Sequence, residues 1–246
     1  MLPPASFCAN RQLAEFVRVR SGPFCGGSLV APNFILTAAH CTEGFSPSDL
    51  TVLINWDDVQ NTNPAIGEPR QISAIVDHPD YDWRTLENDV SLLYFEEPST
   101  YRPAEIDNGA WSQVGQVGPV AGWGRINNGF PSEFPDRPHS VPVPVVSNEQ
   151  CNSPPSYPGQ VTDDMICAGE TGKCSCNGDS GGPMFTEVED GLDFVTGVVS
   201  WGAGECGAAD KFGVYARVSW FKDWIMSYIE PDSPKLKALL LEKSLA

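Results

Sequence analysis

Long apolar runs are missing from this sequence of 246 residues. No stretch reaches the roughly 18 consecutive apolar residues that indicate a transmembrane helix, so we expect no membrane span. Basic residues are also scarce, with 15 Lys and Arg against 32 Asp and Glu, a net charge of −17. Such a surface repels phosphate backbones and anionic lipid, so we expect neither nucleic-acid nor membrane partners. We interpret the acidic excess as a solubility surface.

Histidine is rare as well, with three residues in the chain, and the eight cysteines lack the repeated short spacing of a zinc site. We therefore expect no metal centre. Disulfides explain the cysteines better, and they indicate an oxidising, extracellular compartment. The first residues, MLPPASFCAN, show no charged start followed by an apolar stretch. No signal peptide is visible in the chain as written, which we interpret as a missing true beginning or an initiator Met on a processed form.

Glycine and proline, by contrast, are frequent, at 23 and 22 residues. They separate short apolar runs such as TVLI, QISAIV, VSLLYF and GVYARV, a pattern typical of an all-β sandwich or barrel. A polar connection from 96 to about 109 divides two β halves. The apolar period of SWFKDWIMSYIE predicts one helix at 219–230 that docks on a core. The tail at 233–246 is expected to be a second short helix or disordered.

One serine stands among glycines in the segment GKCSCNGDSGGP. Nucleophilic attack by serine needs an exposed hydroxyl, a base, and donors where negative charge develops. Gly178 lets the backbone turn sharply, so that its N–H and that of Ser180 can face one point. Small residues at 181 and 182 leave room for a substrate chain.

A base and its orienting carboxylate are offered by two other segments. LTAAHC contains His40 next to a cysteine, and ENDVSLL contains Asp89 at the start of an apolar strand. Each segment alone has an ordinary interpretation, since a lone histidine is usually a surface or core residue and such an aspartate usually belongs to a turn. His78 and His139 receive only that ordinary interpretation. The order TAAHC, NDVSLL, GDSGGP and VSWG is highly specific.

With these four motifs the sequence resembles the chymotrypsin-like (trypsin-family) serine proteases from about Phe16 to Ile229. The order His, Asp, Ser differs from that of subtilisin-like enzymes and α/β-hydrolases. The resemblance implies an all-β fold of two six-stranded antiparallel barrels with a C-terminal helix and the active site in the cleft between them. The peptidase domain would cover 1–232, with the first barrel at about 12–109 and the second at about 110–218.

The resemblance also implies an activity, that of a secreted serine endopeptidase that works through an acyl-enzyme. His40 would be the general base, Asp89 its orienting carboxylate and Ser180 the nucleophile. Gly178 and Ser180 would form the oxyanion hole. Such an enzyme is expected to be a monomer without a cofactor, to act on polypeptides and to meet protein inhibitors.

Further positions follow from the same resemblance. Ser200 would support the buried Asp89, and the strand from Ser200 through Trp201 to Gly202 would pair with the substrate backbone. Gly202 and Gly213 would form an open pocket rim. The resemblance implies three disulfides, Cys25–Cys41, Cys151–Cys167 and Cys176–Cys206.

Cys174 would lie at the floor of the specificity pocket, six residues before Ser180, where trypsin-like members have Asp. A buried Lys or Arg side chain would lack a counter-charge there. We therefore expect cleavage after Phe, Tyr, Leu or Met rather than Arg or Lys. Other interpretations remain open: an inert buried thiol, a disulfide between Cys174 and Cys8, and a trypsin-like protease of different specificity.

One departure from the family concerns Asp179. In active members a new N-terminal ammonium pairs with the Asp that precedes the nucleophile, but MLPP stands where that terminus is expected, so Asp179 would lack its partner. This favours a rival hypothesis, a non-catalytic homologue that acts as a binding protein; the intact triad favours the protease.

Some relatives bind calcium where this chain has the loop from Asp57 to Glu68, but acidic loops are usually only solvated.

Overall fold

The computed structural model describes residues 13–18, 22–56, 58, 67–188 and 193–244. Two sheets dominate these ranges. The first contains β1 (Leu13–Arg18), β2 (Gly22–Ala31), β3 (Phe34–Thr37), β4 (Leu50–Ile54), β5 (Glu68–Gln71), β6 (Ala74–Asp77) and β7 (Ser91–Tyr94). The second contains β8 (Glu105–Ile106), β9 (Val117–Gly122), β10 (His139–Val146), β11 (Met165–Ala168), β12 (Pro183–Glu187), β13 (Asp193–Trp201) and β14 (Gly213–Arg217). The helices are α1 (Asn148–Cys151), α2 (Val218–Ile229) and α3 (Pro234–Ser244).

Six strands of the second sheet close into a barrel. Their order is β12-β9-β10-β11-β14-β13, and β12 also pairs with β13, so the ring has no open edge. All of these pairings are antiparallel. The expectation of a six-stranded antiparallel barrel is confirmed here. One difference is the two-residue strand β8, which pairs with β13 in the parallel direction from outside the ring.

The first sheet has the order β5-β4-β1-β2-β3-β7-β6. Strands β5 and β6 are two halves of one bent stretch. Between them the Ile72 N–H donates to Leu50 O at 3.4 Å, and the Ser73 N–H donates to Tyr94 O at 2.8 Å. The stretch therefore pairs with β4 along β5 and with β7 along β6, so that it closes the first sheet into a ring, which is called the first barrel below.

The burial of the strands follows their sequence. In β4 the side chains of Leu50, Val52 and Ile54 are buried, and the residues between them are partly exposed, the two-residue period of a strand with one face on a core. β3, β7 and β11 are buried at every position. Burial on both faces explains why these segments read as continuous apolar runs.

The end of the chain is helical, as its pattern predicts, over slightly different bounds. Helix α2 begins at Val218 and ends at Ile229, one residue earlier at each end than expected. Its buried residues Val218, Phe221 and Ile225 recur at helical spacing and pack into a hydrophobic core to which both sheets contribute. Most of the tail forms α3, and the Ser233 hydroxyl accepts from the Lys235 and Leu236 N–H groups at its start. Within the described ranges, no helix is long and apolar enough to cross a membrane.

Helix α2 contacts the first sheet through His78, which follows β6. The imidazole lies 5.4 Å from the Phe221 ring and 5.0 Å from the Trp224 ring, centroid to centroid. Burial lowers the pKa of His78, although Asp80 and Asp164 act in the opposite direction. Protonation of His78 is thus less favourable in the folded protein than in the unfolded chain.

We expect this histidine to make the fold less stable in acid. Its contribution is fully present above the unfolded pKa of about 6.5 and is lost as the pH falls through the lowered folded value. Replacing His78 with Phe keeps the ring contacts and removes the titration. Thermal unfolding followed by circular dichroism should show that the wild type loses more Tm than His78→Phe between about pH 7.5 and about pH 5. Parallel Tm curves would contradict the prediction.

Candidate active site

Asp89 precedes β7 by two residues and is 1% exposed. Its Oδ1 accepts a hydrogen bond from the His40 N–H at 2.9 Å, and its Oδ2 lies 2.7 Å from His40 Nδ1. The Ser200 hydroxyl, on β13 of the second barrel, donates to Oδ2 at 2.5 Å. A buried carboxylate needs such donors to offset its lost hydration. The same contacts fix the His40 ring and tie the two barrels together.

His40 lies in a single 3₁₀ turn, Ala39–Cys41, directly after β3. Its Nδ1 is hydrogen-bonded to Asp89, and its Nε2, 3.7 Å from the Cys41 sulfur, is the nitrogen left to accept a proton. The next residue, Cys41, is bonded to Cys25 of β2, which anchors the turn to the sheet. The other two disulfides implied by the family pattern, Cys151–Cys167 and Cys176–Cys206, are also present.

Ser180 belongs to the second barrel but docks on the first. Its carbonyl accepts from the Gly26 N–H at 2.7 Å. The next residue, Gly181, has φ +76°, and a Cβ there would overlap the Thr37 hydroxyl and come within 2.5 Å of Gly26 O. Thr37 is three residues before His40, so this close approach brings the Ser180 segment against the segment that carries His40.

In the described residues no hydrogen bond joins Ser180 Oγ to His40 Nε2. Catalytic hydrogen bonds of this kind are often long in ligand-free proteins and tighten when substrate binds.

Gly178, with φ +100°, turns the chain just before the serine. Neither the Gly178 N–H nor the Ser180 N–H donates to another described residue, so both stay available for a negatively charged oxygen.

The Asp179 carboxylate braces this turn. Its Oδ1 accepts from the Gly124 N–H and its Oδ2 from the Cys176 N–H, each at 2.7 Å. A Cβ at Gly122 or Gly124 would overlap the carboxylate, so both glycines of the GWG segment are needed for the contact. Burial raises the pKa of Asp179, and the two N–H donors oppose that shift.

A cavity of about 80 Å³ opens beside Ser180. The structure brings all the pocket residues named from the sequence to its wall: Cys174, Ser200, Trp201, Gly202 and Gly213. A Cβ at Gly213 would lie 2.8 Å from Tyr215 Oη and 3.0 Å from Ser175 Oγ, whereas one at Gly202 would meet nothing closer than 3.7 Å. Gly213 therefore has no room for a side chain, whereas Gly202 has ordinary contacts only.

Cys174 has a free thiol that donates to Ser175 O at 2.9 Å. Because this thiol is free, Cys174 does not form the alternative disulfide with Cys8, which itself lies outside the described residues. Burial raises the pKa of the Cys174 thiol, which is therefore neutral at neutral pH. The wall of the cavity thus carries, at Cys174, a weakly polar group without charge.

Sequence reasoning missed Tyr157, which organises the cavity rim. Its hydroxyl donates to Phe212 O at 2.8 Å and accepts from the Ala203 N–H at 3.2 Å. Its ring meets the Trp201 ring edge-on at 4.9 Å between centroids. The surrounding letters SYPG give no signal for this role, because the partners are more than 40 residues away.

The acidic loop considered for calcium is only partly described, since Asp57 lies outside the described residues. Glu68 is already engaged. Its carboxylate accepts from Arg70 Nη2 at 3.0 Å, from the Thr100 N–H at 3.1 Å and from the Thr100 hydroxyl. Both oxygens therefore face protein donors, an arrangement that does not fit a calcium ligand.

Comparison with known proteins gives a consistent result. Residues 9–225 match the family described as Trypsin. The chain is 35% identical over 226 residues to Trypsin-3 of Salmo salar, covering 89% of each protein. It is 36% identical over 236 residues to Anionic trypsin of Canis lupus familiaris, covering 92% of this chain and 88% of that protein. It is also 36% identical over 220 residues to Serine proteinase stubble of Drosophila melanogaster, covering 83% of this chain but 27% of that protein.

The free energy of unfolding of glycine-to-alanine variants tests the contact between Gly181 and the first barrel. Gly44 is a matched control, because it has φ +77° and a Cβ added there would meet nothing within 4 Å, whereas Gly181 has φ +76° and immediate neighbours. We expect Gly44→Ala to lower the free energy of unfolding by about 1–2 kcal/mol from backbone strain alone. Gly181→Ala adds the overlap and should lower it by roughly 4 kcal/mol or more. Urea unfolding that gives equal losses would contradict the contact.

Proposed function

Because the chain belongs to the trypsin family of serine proteases, we propose that it is a secreted endopeptidase that cleaves peptide bonds through an acyl-enzyme on Ser180. The observation that carries this proposal is the Asp89 carboxylate, which orients His40 and is itself held by Ser200 across the two barrels. An aspartate, a histidine and a glycine-flanked serine in this arrangement have the roles of a catalytic triad.

In the first half of the reaction, Ser180 Oγ attacks the peptide carbonyl carbon and its proton passes to His40 Nε2. The carbonyl oxygen becomes an oxyanion, which the N–H groups of Gly178 and Ser180 stabilise. His40 then gives the proton to the leaving amine, the C–N bond breaks, and an ester of Ser180 remains. Asp89 stays ionised and stabilises the imidazolium.

In the second half, water attacks the ester carbonyl and gives its proton to His40. The same two N–H groups hold the second oxyanion. When this intermediate collapses, the C–O bond to Ser180 breaks, His40 returns the proton to Ser180 Oγ, and the new carboxylic acid leaves. The polypeptide is the only substrate besides water, so the reaction needs no cofactor.

The rival proposal, a non-catalytic homologue that binds partners, is supported by one observation. In the described residues no cationic nitrogen lies within 4.0 Å of the Asp179 carboxylate. The intact arrangement of Asp89, His40 and Ser180 favours the enzyme, because a binding surface does not need a histidine held by a buried carboxylate. Catalysis by the wild type and not by Ser180→Ala separates the two proposals.

For substrate choice, we propose large apolar side chains, Phe, Tyr, Leu or Met, before the cleaved bond. The neutral thiol of Cys174, which lines the cavity and is the proposed pocket floor, supports this choice, since a buried Lys or Arg would lack a counter-charge there. The carboxylate that lines the cavity belongs to Glu205, which is exposed and therefore well solvated. Tryptic cleavage is the alternative, and the names of the relatives Trypsin-3 and Anionic trypsin support it.

The proposed setting is extracellular. Three disulfides support an oxidising compartment.

Strand β13 ends at Trp201, beside the cavity, where Ser200 to Gly202 would pair with an extended substrate backbone. Protein inhibitors that present such a backbone would use the same strand. We expect a monomer.

The role of Asp89 predicts a large kinetic effect of a small change. Asp89→Asn should lower kcat by about 10⁴, because the amide no longer selects the His40 tautomer whose Nε2 accepts the serine proton. Asp107→Asn is the matched control, since Asp107 is also buried and accepts backbone N–H donors, but it does not contact His40. Its kcat should stay within about threefold of the wild type. Equal losses in kcat would show that Asp89 has only a structural role.

The neutral pocket floor predicts the substrate preference and how to change it. On matched peptides, the wild type should have a higher kcat/KM after Phe than after Arg. Cys174→Asp places a carboxylate at the floor and should raise kcat/KM after Arg by at least about 10²-fold relative to Phe. Cys174→Ser, neutral and of similar size, is the control and should leave the Phe preference in place. Faster cleavage after Arg by the wild type would overturn the apolar preference in favour of tryptic cleavage.

A further inference from the structure

The loop between β9 and β10, residues 123–138, lies beside the proposed active site. Asn128 Nδ2 donates to Cys206 O at 3.0 Å, and Cys206 lines the substrate cavity. The ring of Phe134 reaches the turn that contains Gly178, because a Cβ at Gly178 would lie 3.4 Å from its Cε1. A cut in this loop would therefore release contacts to that turn and to the cavity wall.

The same loop exposes side chains of the class proposed for cleavage. Among the side chains that the structure describes, four exposed ones belong to Phe, Tyr, Leu or Met, and they are Phe130, Phe134, Leu240 and Leu241. The two leucines lie in α3, where helical hydrogen bonds hold the backbone. Phe130 is 100% exposed and Phe134 is 59% exposed, both in irregular backbone of the kind that proteases cut. A second copy of the enzyme would thus meet its preferred residues in this loop.

Proline follows both of these phenylalanines. The loop contains Phe130–Pro131 and Phe134–Pro135, although proline makes up only 22 of the 246 residues. The nitrogen of proline carries a ring carbon in place of hydrogen. In the proposed reaction His40 must give a proton to that nitrogen while the C–N bond breaks, and the ring occupies space beside it. The two bonds that the proposed preference would select therefore resist cleavage.

Exposed arginines do not share this protection throughout. The side chain of Arg137 is 71% exposed and Pro138 follows it. The side chain of Arg84, between β6 and β7, is 69% exposed, but Thr85 follows it. An enzyme that cut after Arg would thus find an open bond on its own surface. In the described ranges, the pattern of prolines fits cleavage after Phe better than cleavage after Arg.

We propose that Pro131 and Pro135 protect the enzyme against cleavage by copies of itself. Each proline allows the loop to carry an exposed phenylalanine beside the active site without offering a bond that the enzyme can cut. The proposal rests on the proposed function and on its preference for apolar residues. It adds a form of regulation to that function, since the lifetime of the active enzyme then depends on two proline residues.

Pro131→Ala tests the proposal, because Pro131 is exposed and its replacement leaves Phe130 in place. The purified variant should cut itself after Phe130 at least about tenfold faster than the wild type does. None of the three described disulfides crosses this bond, so a denaturing gel separates the two fragments and mass spectrometry locates the cut. The activity of the variant on a Phe peptide should fall as the cut appears.

The double variant Phe130→Ser with Pro131→Ala is the matched control. It loses the same proline but has no apolar side chain before the bond, so this bond should stay intact. The proposal is overturned if the wild type hydrolyses a Phe peptide while Pro131→Ala stays as intact as the wild type. It is also overturned if the double variant is cut there as fast as Pro131→Ala, because the lost proline would then only loosen the loop.

A wild type that hydrolyses no peptide would contradict the proposed function instead, and added chymotrypsin then tests the protection. In a Ser180→Ala background, chymotrypsin should cut Pro131→Ala after Phe130 at least about tenfold faster than it cuts the parent chain there. Adding Phe130→Ser should abolish this cut, and circular dichroism should show that all variants stay folded. Equal cutting with and without Pro131 would overturn the protection whether or not the protein is active.

Discussion

The Asp89 carboxylate, buried two residues before β7, is stable only because donors from both barrels reach it. Two come from His40 in the first barrel and one from Ser200 in the second. A buried charge without these partners would be strongly destabilising. The free energy of folding therefore depends on how the His40 imidazole is oriented and on where β13 lies against the first barrel.

A second link between the barrels consists of backbone. The Gly26 N–H binds Ser180 O, and Gly181 fits against Gly26 and Thr37 where no side chain has room. In the same turn, Asp179 fits against Gly122 and Gly124. Ser180 is thus held between two surfaces that require glycine, and this explains why one serine is surrounded by so many glycines.

Much of this site could be predicted from sequence, because its chemistry is concentrated in short motifs. LTAAHC, ENDVSLL and GDSGGP each contain a reactive side chain with its local backbone requirement, and a family resemblance supplied the disulfide pairing. The remainder depends on contacts between distant segments. Tyr157 braces the pocket rim from 46 and 55 residues away in the chain. The parallel pairing of β8, the bend between β5 and β6 and the position of His139 opposite Gly122 depend on strand register, which no short motif encodes.

Covalent labelling of Ser180 tests the proposed site most directly. A fluorophosphonate reacts only with a serine that has a base and an oxyanion hole in working positions. The wild-type chain should gain the mass of one probe at Ser180, located by peptide mass spectrometry, and His40→Ala should lose this labelling while it stays folded. An unlabelled wild type, or equal labelling of His40→Ala, would show that Asp89, His40 and Ser180 do not act together, and it would favour a binding protein.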